Sequence, residues 1–223
     1  MPYDAILFDN DGVITRPVTK DILEEAAWEA FEAAGVSDPQ ASHVEGIIRG
    51  VDPDWLKDVC AEYGIELEEF WRLRDHYSSA VQRAAIENGH KGLYDDVEVV
   101  HSLRHRLGIV SSNQQTTIDF IIDYFDLEET FETYYGREPT VESLRRKKPA
   151  PHYVTAALSD LDAESALFVG DSDSDVHAAA NAGIDSAYIR RPHRDDDYLT
   201  ADPSYVLDSL WELRTLTDVE TSE

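Results

Sequence analysis

Short apolar runs of β character punctuate the chain at DAILFD (4–9), LGIVSS (107–112), ALFVG (166–170) and DSAYI (185–189). Helical sequence separates each run from the next, the pattern of a parallel sheet with helices on both faces. TTIDFIIDYFDL (116–127) sets Ile118, Ile121, Ile122 and Phe125 at helical spacing. PHYVTAALSDL (151–161) and DVHAAANAG (175–183) read the same way, the second closing on Gly183 as a helix stop.

The stretch 17–90 differs. DILEEAAWEAFEAAG (21–35) and ELEEFWRLRDHYSSAVQRAAIENG (66–89) are helical almost throughout, and no strand pattern interrupts them. Breaks at Arg16-Pro17 and at NGHKG (88–92) bound the stretch. The expected fold is therefore α/β: a doubly wound, Rossmann-like parallel sheet core (1–16 and 91–223). A small all-helical cap domain (17–90) is inserted after the first strand, able to cover the strand ends. Trp28, Phe31, Phe70 and Trp71 read as packing within that insert, with one of them available to line an entrance.

Composition changes the picture in one respect. The chain has 223 residues and is 42% hydrophobic, enough for a full core, but 46 Asp and Glu face 19 Lys and Arg, a net charge of -27. Such self-repulsion is tolerable in molar salt, where the screening length falls to about 3 Å. The chain reads as one from a salt-loving cytoplasm such as a haloarchaeon's, with five Lys beside fourteen Arg. Nucleic acid and anionic membranes are not expected partners. Cys60 stands alone, the N-terminus lacks a signal-peptide pattern, and no apolar run approaches a membrane span. The expected location is the cytoplasm.

Four polar clusters sit where strands end or helices begin. Asp9-Asn10-Asp11-Gly12 follows the first strand; alternate carboxylates there can share a pocket, or simply cap a strand before a turn. Ser111-Ser112-Asn113 closes the second run, as an oxyanion holder at a helix start or a plain N-cap. RRKKP (145–149) gathers Lys147 and Lys148, a source of positive potential or an exposed basic turn. Gly170-Asp171-Ser172-Asp173-Ser174-Asp175 offers oxygen ligands for a hard cation, or a dipole-favourable N-cap. In open parallel sheets ligands lie beyond the carboxyl ends of the strands, where Asp9, Ser111 and Asp171 all fall.

In this order FDNDG, VSSN, KKP and VGDSDSD resemble the four-motif signature of the haloacid dehalogenase superfamily, with its cap in the expected place. The resemblance runs from residue 4 to about 190 and leans toward the phosphoglycolate phosphatase and β-phosphoglucomutase branch. It implies Asp9 as the nucleophile forming an aspartyl-phosphate, and Asp11 as the acid/base made easier to protonate by like-charge crowding. It implies Ser111 and Lys148 as holders of the phosphoryl oxygens, with Lys148 preferred to Lys147 because it adjoins the proline. Ser112 and Asn113 would add contacts from the helix start. Mg2+ would be held by Asp9, the Asp11 carbonyl and Asp171, with Asp175 behind and Asp173 exposed. The implied activity is Mg2+-dependent hydrolysis of a small phosphorylated metabolite. A sugar phosphomutase is the first alternative and a noncatalytic metal-binding protein the second. Arg49, in VEGIIRG (44–50), would grip the substrate's far end.

Other features point elsewhere or nowhere. Asp11 disfavours a dehalogenase, since those members lack this residue. Lys20 and Lys57 sit in no Schiff-base motif. Val176 and Ala182 occupy places where an EF-hand needs Gly and Glu. His101 and His105, four apart, read as a surface helix, and RRPHRDDDY (190–198) as a solvated loop.

Overall fold

Strand β1 (Ala5–Phe8) is buried at every position, as a strand must be when helices cover both faces of its sheet. The structure, a computed structural model, describes residues 3–48, 51–194 and 198–217. Among them β1 is joined by β2 (Arg106–Gln114), β3 (Thr133–Arg137), β4 (Ala166–Gly170), β5 (Asp185–Ile189) and β6 (Tyr205–Leu207). All pair in parallel, in the order β3-β2-β1-β4-β5-β6. The chain builds outward from β1 to β3, then returns to β4 and builds the other way. The strand order thus reverses at β1, and the crevice beyond its carboxyl end is the natural ligand position.

Among the described residues four α-helices lie between β1 and β2: α1 (Lys20–Ala33), α2 (Ala41–Gly46), α3 (Pro53–Tyr63) and α4 (Leu67–Glu87). Their boundaries follow local chemistry. Asp52 caps α3 by accepting from the backbone N–H groups of Asp54 and Trp55, Pro53 opens it, and Gly64 ends it at φ 67°. The Glu66 carboxylate caps α4 in the same way. Phe31, Ile47, Leu56, Phe70 and Trp71 form a core for these helices. Trp28 does not join it; its side chain sits on the outer face of α1, exposed. Asp75 of α4 receives a two-pronged ion pair from Arg137 at the end of β3, one arm at 2.7 Å. That buried pair ties the helical layer to the sheet.

The remaining α-helices among the described residues are α5 (Gln115–Tyr124), α6 (Ser143–Arg146), α7 (His152–Asp160), α8 (Asp173–Ala182) and α9 (Leu213–Thr217). None of the helices among the described residues is long and apolar enough to cross a membrane. Edge strands β3 and β6 carry no clear apolar run, because an edge strand is covered on fewer sides. A 3-10 helix spans Asp95–Ser102 and stops short of His105, so His101 and His105 do not share a helix face. His101 bonds Thr130 instead, and His105 is buried.

Among the described residues of 190–198 (195–197 lie outside them) most are exposed, as their polarity suggests, but Arg191 is not. Arg191 is buried, grips Asp96 with two 3.0 Å bonds, and donates to the carbonyls of Gly12 and Val13. The turn after β1 is thereby braced from the far end of the chain.

Candidate active site

Asp9 and Asn10 leave β1, and the backbone turns sharply at Gly12, whose φ is +93°. A side chain there would be strained in conformation, and its Cβ would stand 2.0 Å from Asp171 Oδ2. Glycine therefore lets the first turn lie directly against the carboxylate that follows β4. Gly12→Ala should lower stability by about 1–3 kcal/mol and weaken any gain on adding Mg2+, both read by thermal unfolding. Unchanged melting would mean that the turn accommodates the methyl group.

Asp9, Asp171 and Asp175 are buried, and an oxygen from each lies within 4.8 Å of the others. Lys148 supplies the opposing charge. Its ammonium is 2.6 Å from Asp9 Oδ1 and 2.7 Å from Asp175 Oδ1. Burial works against that charge, but Asp175 and Asp9 outweigh it and hold the Lys148 pKa above its ordinary value. For Asp9, burial dominates. It pushes the carboxyl well above the usual range, with Lys148 opposing and Asp175 and Asp171 reinforcing. The cluster is short of positive charge. Asp171 Oδ1 is buried without a hydrogen-bond donor, and an all-oxygen donor set of this kind suits a hard divalent cation such as Mg2+.

The other oxygen of Asp171 accepts from His193 Nε2 at 2.8 Å and Arg194 Nε at 3.1 Å. Asp175 Oδ2 accepts from the Ser172 backbone N–H and hydroxyl at the start of α8. Helix capping and charge clustering thus coexist in one carboxylate. Asp173 is not fully exposed; it accepts two bonds from Thr200.

Asp11 turns away from these carboxylates. Lys91 donates to its Oδ1, and Asn113 Nδ2 donates to its Oδ2 at 2.8 Å. Burial raises the Asp11 pKa, but Lys91 and Asn113 overcome it, so the carboxyl lies below its usual value. The crowding expected from sequence is absent: an ammonium, not a carboxylate, is Asp11's near neighbour. Lys91 also donates to Gln82 Oε1 at 2.9 Å, and Gln82 exchanges bonds with Asn113. Helix α4 therefore reaches the acid/base candidate through Gln82.

Ser111 is buried near the end of β2, and its hydroxyl accepts from the Asn113 backbone N–H at 3.1 Å. Ser112 and Asn113 do not sit at a helix start. β2 continues through a register shift to Gln114, and α5 begins at Gln115. Lys148 is buried and Lys147 half-buried, so KKP is no exposed turn. Arg49 lies outside the described residues.

Beside the carboxylates opens a cleft of about 970 Å³, bordered by Asp11, Ser112, Asn113, Trp71, Lys147 and Ser172 among others. It runs between the sheet's carboxyl ends and the helical layer. The sequence reading brought together Asp9, Asp11, Ser111, Lys148, Asp171 and Asp175, and the structure places them around one end of the sheet. It missed Lys91, Gln82, His193 and Arg194. The scarcity of lysine could have flagged Lys91; the others carry no sequence signal.

The model of the haloacid dehalogenase-like hydrolase family matches residues 6–189. Pyrophosphatase PpaX of Halalkalibacterium halodurans is 25% identical over 226 residues, covering 99% of each chain. Among solved structures, CbbY of Rhodobacter sphaeroides in complex with phosphate superposes with a TM-score of 0.70 at 20% identity, covering 95% of this chain and 96% of that one. A predicted phosphoglycolate phosphatase of Haemophilus somnus gives a TM-score of 0.64 at 21% identity, covering 97% and 99%.

Proposed function

The chain belongs to the haloacid dehalogenase-like hydrolases, and from that premise we propose that it is a Mg2+-dependent phosphatase acting on a small phosphomonoester. The observation that carries the reading is the buried group of Asp9, Asp171 and Asp175 closed by Lys148 at 2.6 and 2.7 Å. It is an anionic pocket with one fixed ammonium, at the point where strand order reverses.

Asp9 attacks phosphorus, so that an Asp9 oxygen–phosphorus bond forms as the ester bond to the leaving oxygen breaks. Asp11 delivers a proton to that oxygen. In the second half Asp11 takes a proton from water, the water oxygen attacks phosphorus, and the Asp9 oxygen–phosphorus bond breaks, freeing the Asp9 carboxylate and inorganic phosphate. Ser111 and Lys148 hold the phosphoryl oxygens against the charge that develops there. Asp9, the Asp11 carbonyl and Asp171, with Asp175 behind, would hold Mg2+, which supplies charge neutralisation at the phosphoryl group. Held by Lys91, Asp11 is ionised and ready for the water step; the acid step requires that pair to loosen when substrate enters. The helical layer acts as the cap, since Gln82 connects α4 to this pair.

Phosphate release from a panel of small phosphoesters, in molar KCl with Mg2+, tests the reading. Release that stops with EDTA is the expected result. Phosphoryl movement within a sugar phosphate, without free phosphate, would assign a mutase instead. A folded protein that binds Mg2+ and turns over nothing would overturn both. Molar KCl is chosen because screening relieves the -27 charge. Full activity in dilute buffer would count against a salt-loving origin.

A further inference from the structure

Helix α4 borders two separate spaces with two adjacent faces. Trp71, Arg74, Ser78 and Gln82 face the cleft beside the carboxylates. Arg72, His76, Ser79 and Arg83, also at helical spacing, border a second cavity of about 410 Å³. Its other walls include Gln115 and Thr116, where α5 begins, and Pro139, which follows β3. Nothing in the proposed chemistry uses this second stripe. It lies where the helical layer meets the sheet core, away from Asp9, Asp171 and Lys148.

In a chain where acids outnumber bases 46 to 19, an arginine seldom lacks a carboxylate. Arg72 and Arg83 do lack one among the described residues. Arg72 donates to the Glu68 carbonyl at 3.2 Å, and Arg83 to the Thr116 carbonyl at 2.9 Å, both backbone acceptors. Asp75 also borders the cavity, but Arg74 and Arg137 already share it, at 3.1 and 2.7 Å. The Arg83 guanidinium lies over the Phe120 ring, 5.1 Å from its centroid, and its Nε is buried with no acceptor. Buried donors ordinarily find an acceptor. A second observation is independent of the arginines. No side chain caps the first turn of α5, so the positive end of that helix opens on the same cavity.

We propose that this cavity is a noncatalytic effector site for a small organic dianion, held by Arg72 and Arg83 of α4 against the start of α5. Planar guanidinium forks match the paired oxygens of a carboxylate or phosphate, and the volume is that of a metabolite pocket. The occupant clamps the helical layer to the core along a seam already joined where Ser79 meets Thr116 and Thr117, at 3.2 and 2.9 Å. Clamping α4 also fixes Gln82, the neighbour of Arg83. Gln82 accepts from Lys91 and Asn113, the two side chains that hold Asp11. On the phosphatase reading, on which this regulatory step rests, proton delivery by Asp11 needs that group to loosen. The anion is therefore an inhibitor that lowers kcat without competing for the substrate's place.

Calorimetry in molar KCl with Mg2+ tests the site, with malonate and inorganic phosphate as probes. Binding of a probe should survive Lys148→Met, which disables the catalytic pocket. It should weaken about 10- to 100-fold in Arg72→Gln, the effect of losing a hydrogen bond to a charged group. Arg72 is exposed and bonded only within its own helix, so this variant keeps the fold. Arg83→Met should weaken binding likewise. The probe that behaves in this way identifies the occupant as carboxylate or phosphate. Failure of both probes to bind Lys148→Met, or equal binding by wild type and Arg72→Gln, overturns the site. In turnover of a phosphoester, malonate should lower kcat with KM unchanged in wild type, and should not do so in Arg72→Gln. Inhibition that raises KM alone, or that persists in Arg72→Gln, overturns the clamp. If no phosphoester is hydrolysed, the phosphatase reading fails on its own, and the calorimetry still decides whether the anion site exists.

Discussion

Asp9→Asn should abolish phosphate release, by at least about a thousandfold, while raising the melting temperature of the metal-free protein. The two effects have one origin. Asp9, Asp171 and Asp175 crowd three carboxylates within 4.8 Å, and burial pushes the Asp9 carboxyl well above its ordinary pKa. A group whose folded pKa lies above its unfolded value favours the fold when protonated, and its contribution is lost as pH rises through the folded pKa. Ionising Asp9 in the folded protein therefore costs stability, and the amide removes that cost. The amide also removes the nucleophile and a charged metal ligand, so the stabilisation gained on adding Mg2+ should shrink. Thermal unfolding in EDTA and in Mg2+, beside a phosphate-release assay, measures all three. A variant that melts lower in EDTA would mean that the Lys148 pairing outweighs the crowding. One that keeps its activity would remove Asp9 from the chemistry.

Lys148→Met carries the second large effect, with the opposite sign on stability. The ammonium answers Asp9 and Asp175 at once. Removing one partner of a buried ion pair leaves uncompensated charge and costs about 3–5 kcal/mol. At about 2–4 °C per kcal/mol for a chain of this size, the metal-free protein should melt roughly 10 °C lower. Saturating Mg2+ should recover part of that loss by occupying the same carboxylates. Turnover should fall about a hundred- to a thousandfold, as when a donor to a developing oxyanion is lost. The same substitution at Lys147 should leave melting far less affected, because that side chain is only half-buried and long-bonded. Equal melting of the two variants would refute the assignment of Lys148 as the buried partner.

Much of this site was legible beforehand because its elements are local. A run such as AILF needs cover on both faces wherever it occurs, so it reads as a central strand without any knowledge of its partners. Gly12 and Gly183 mark positions where the backbone must enter the left-handed region, at φ 93° and 75°. Ser172 and Asp175 declare a helix start three residues apart. Edge strands β3 and β6 did not announce themselves, since a short, half-covered strand lacks the apolar run. The helix start assigned to Ser112 and Asn113 was displaced two residues because β2 shifts register before it ends, and pairing irregularities arise between strands, not along one.

The amino-acid order by itself determined the parallel α/β core, the helical insert after its first strand, and the carboxylates that gather at the strand ends. Those follow from periodicity and turn chemistry, which act over a few residues. Only the tertiary structure decided who neighbours whom. It set Lys91 of the insert's return segment against Asp11, 80 positions away, and Arg191 against the Gly12 carbonyl from 179 positions away. It put Lys147 and Trp71 in the lining of one cleft. Such contacts depend on how helices pack on the sheet, and a charged side chain looks the same in sequence whether it faces water or a buried partner. Packing brings it out of water, and only then does the identity of its neighbour set its charge and its task.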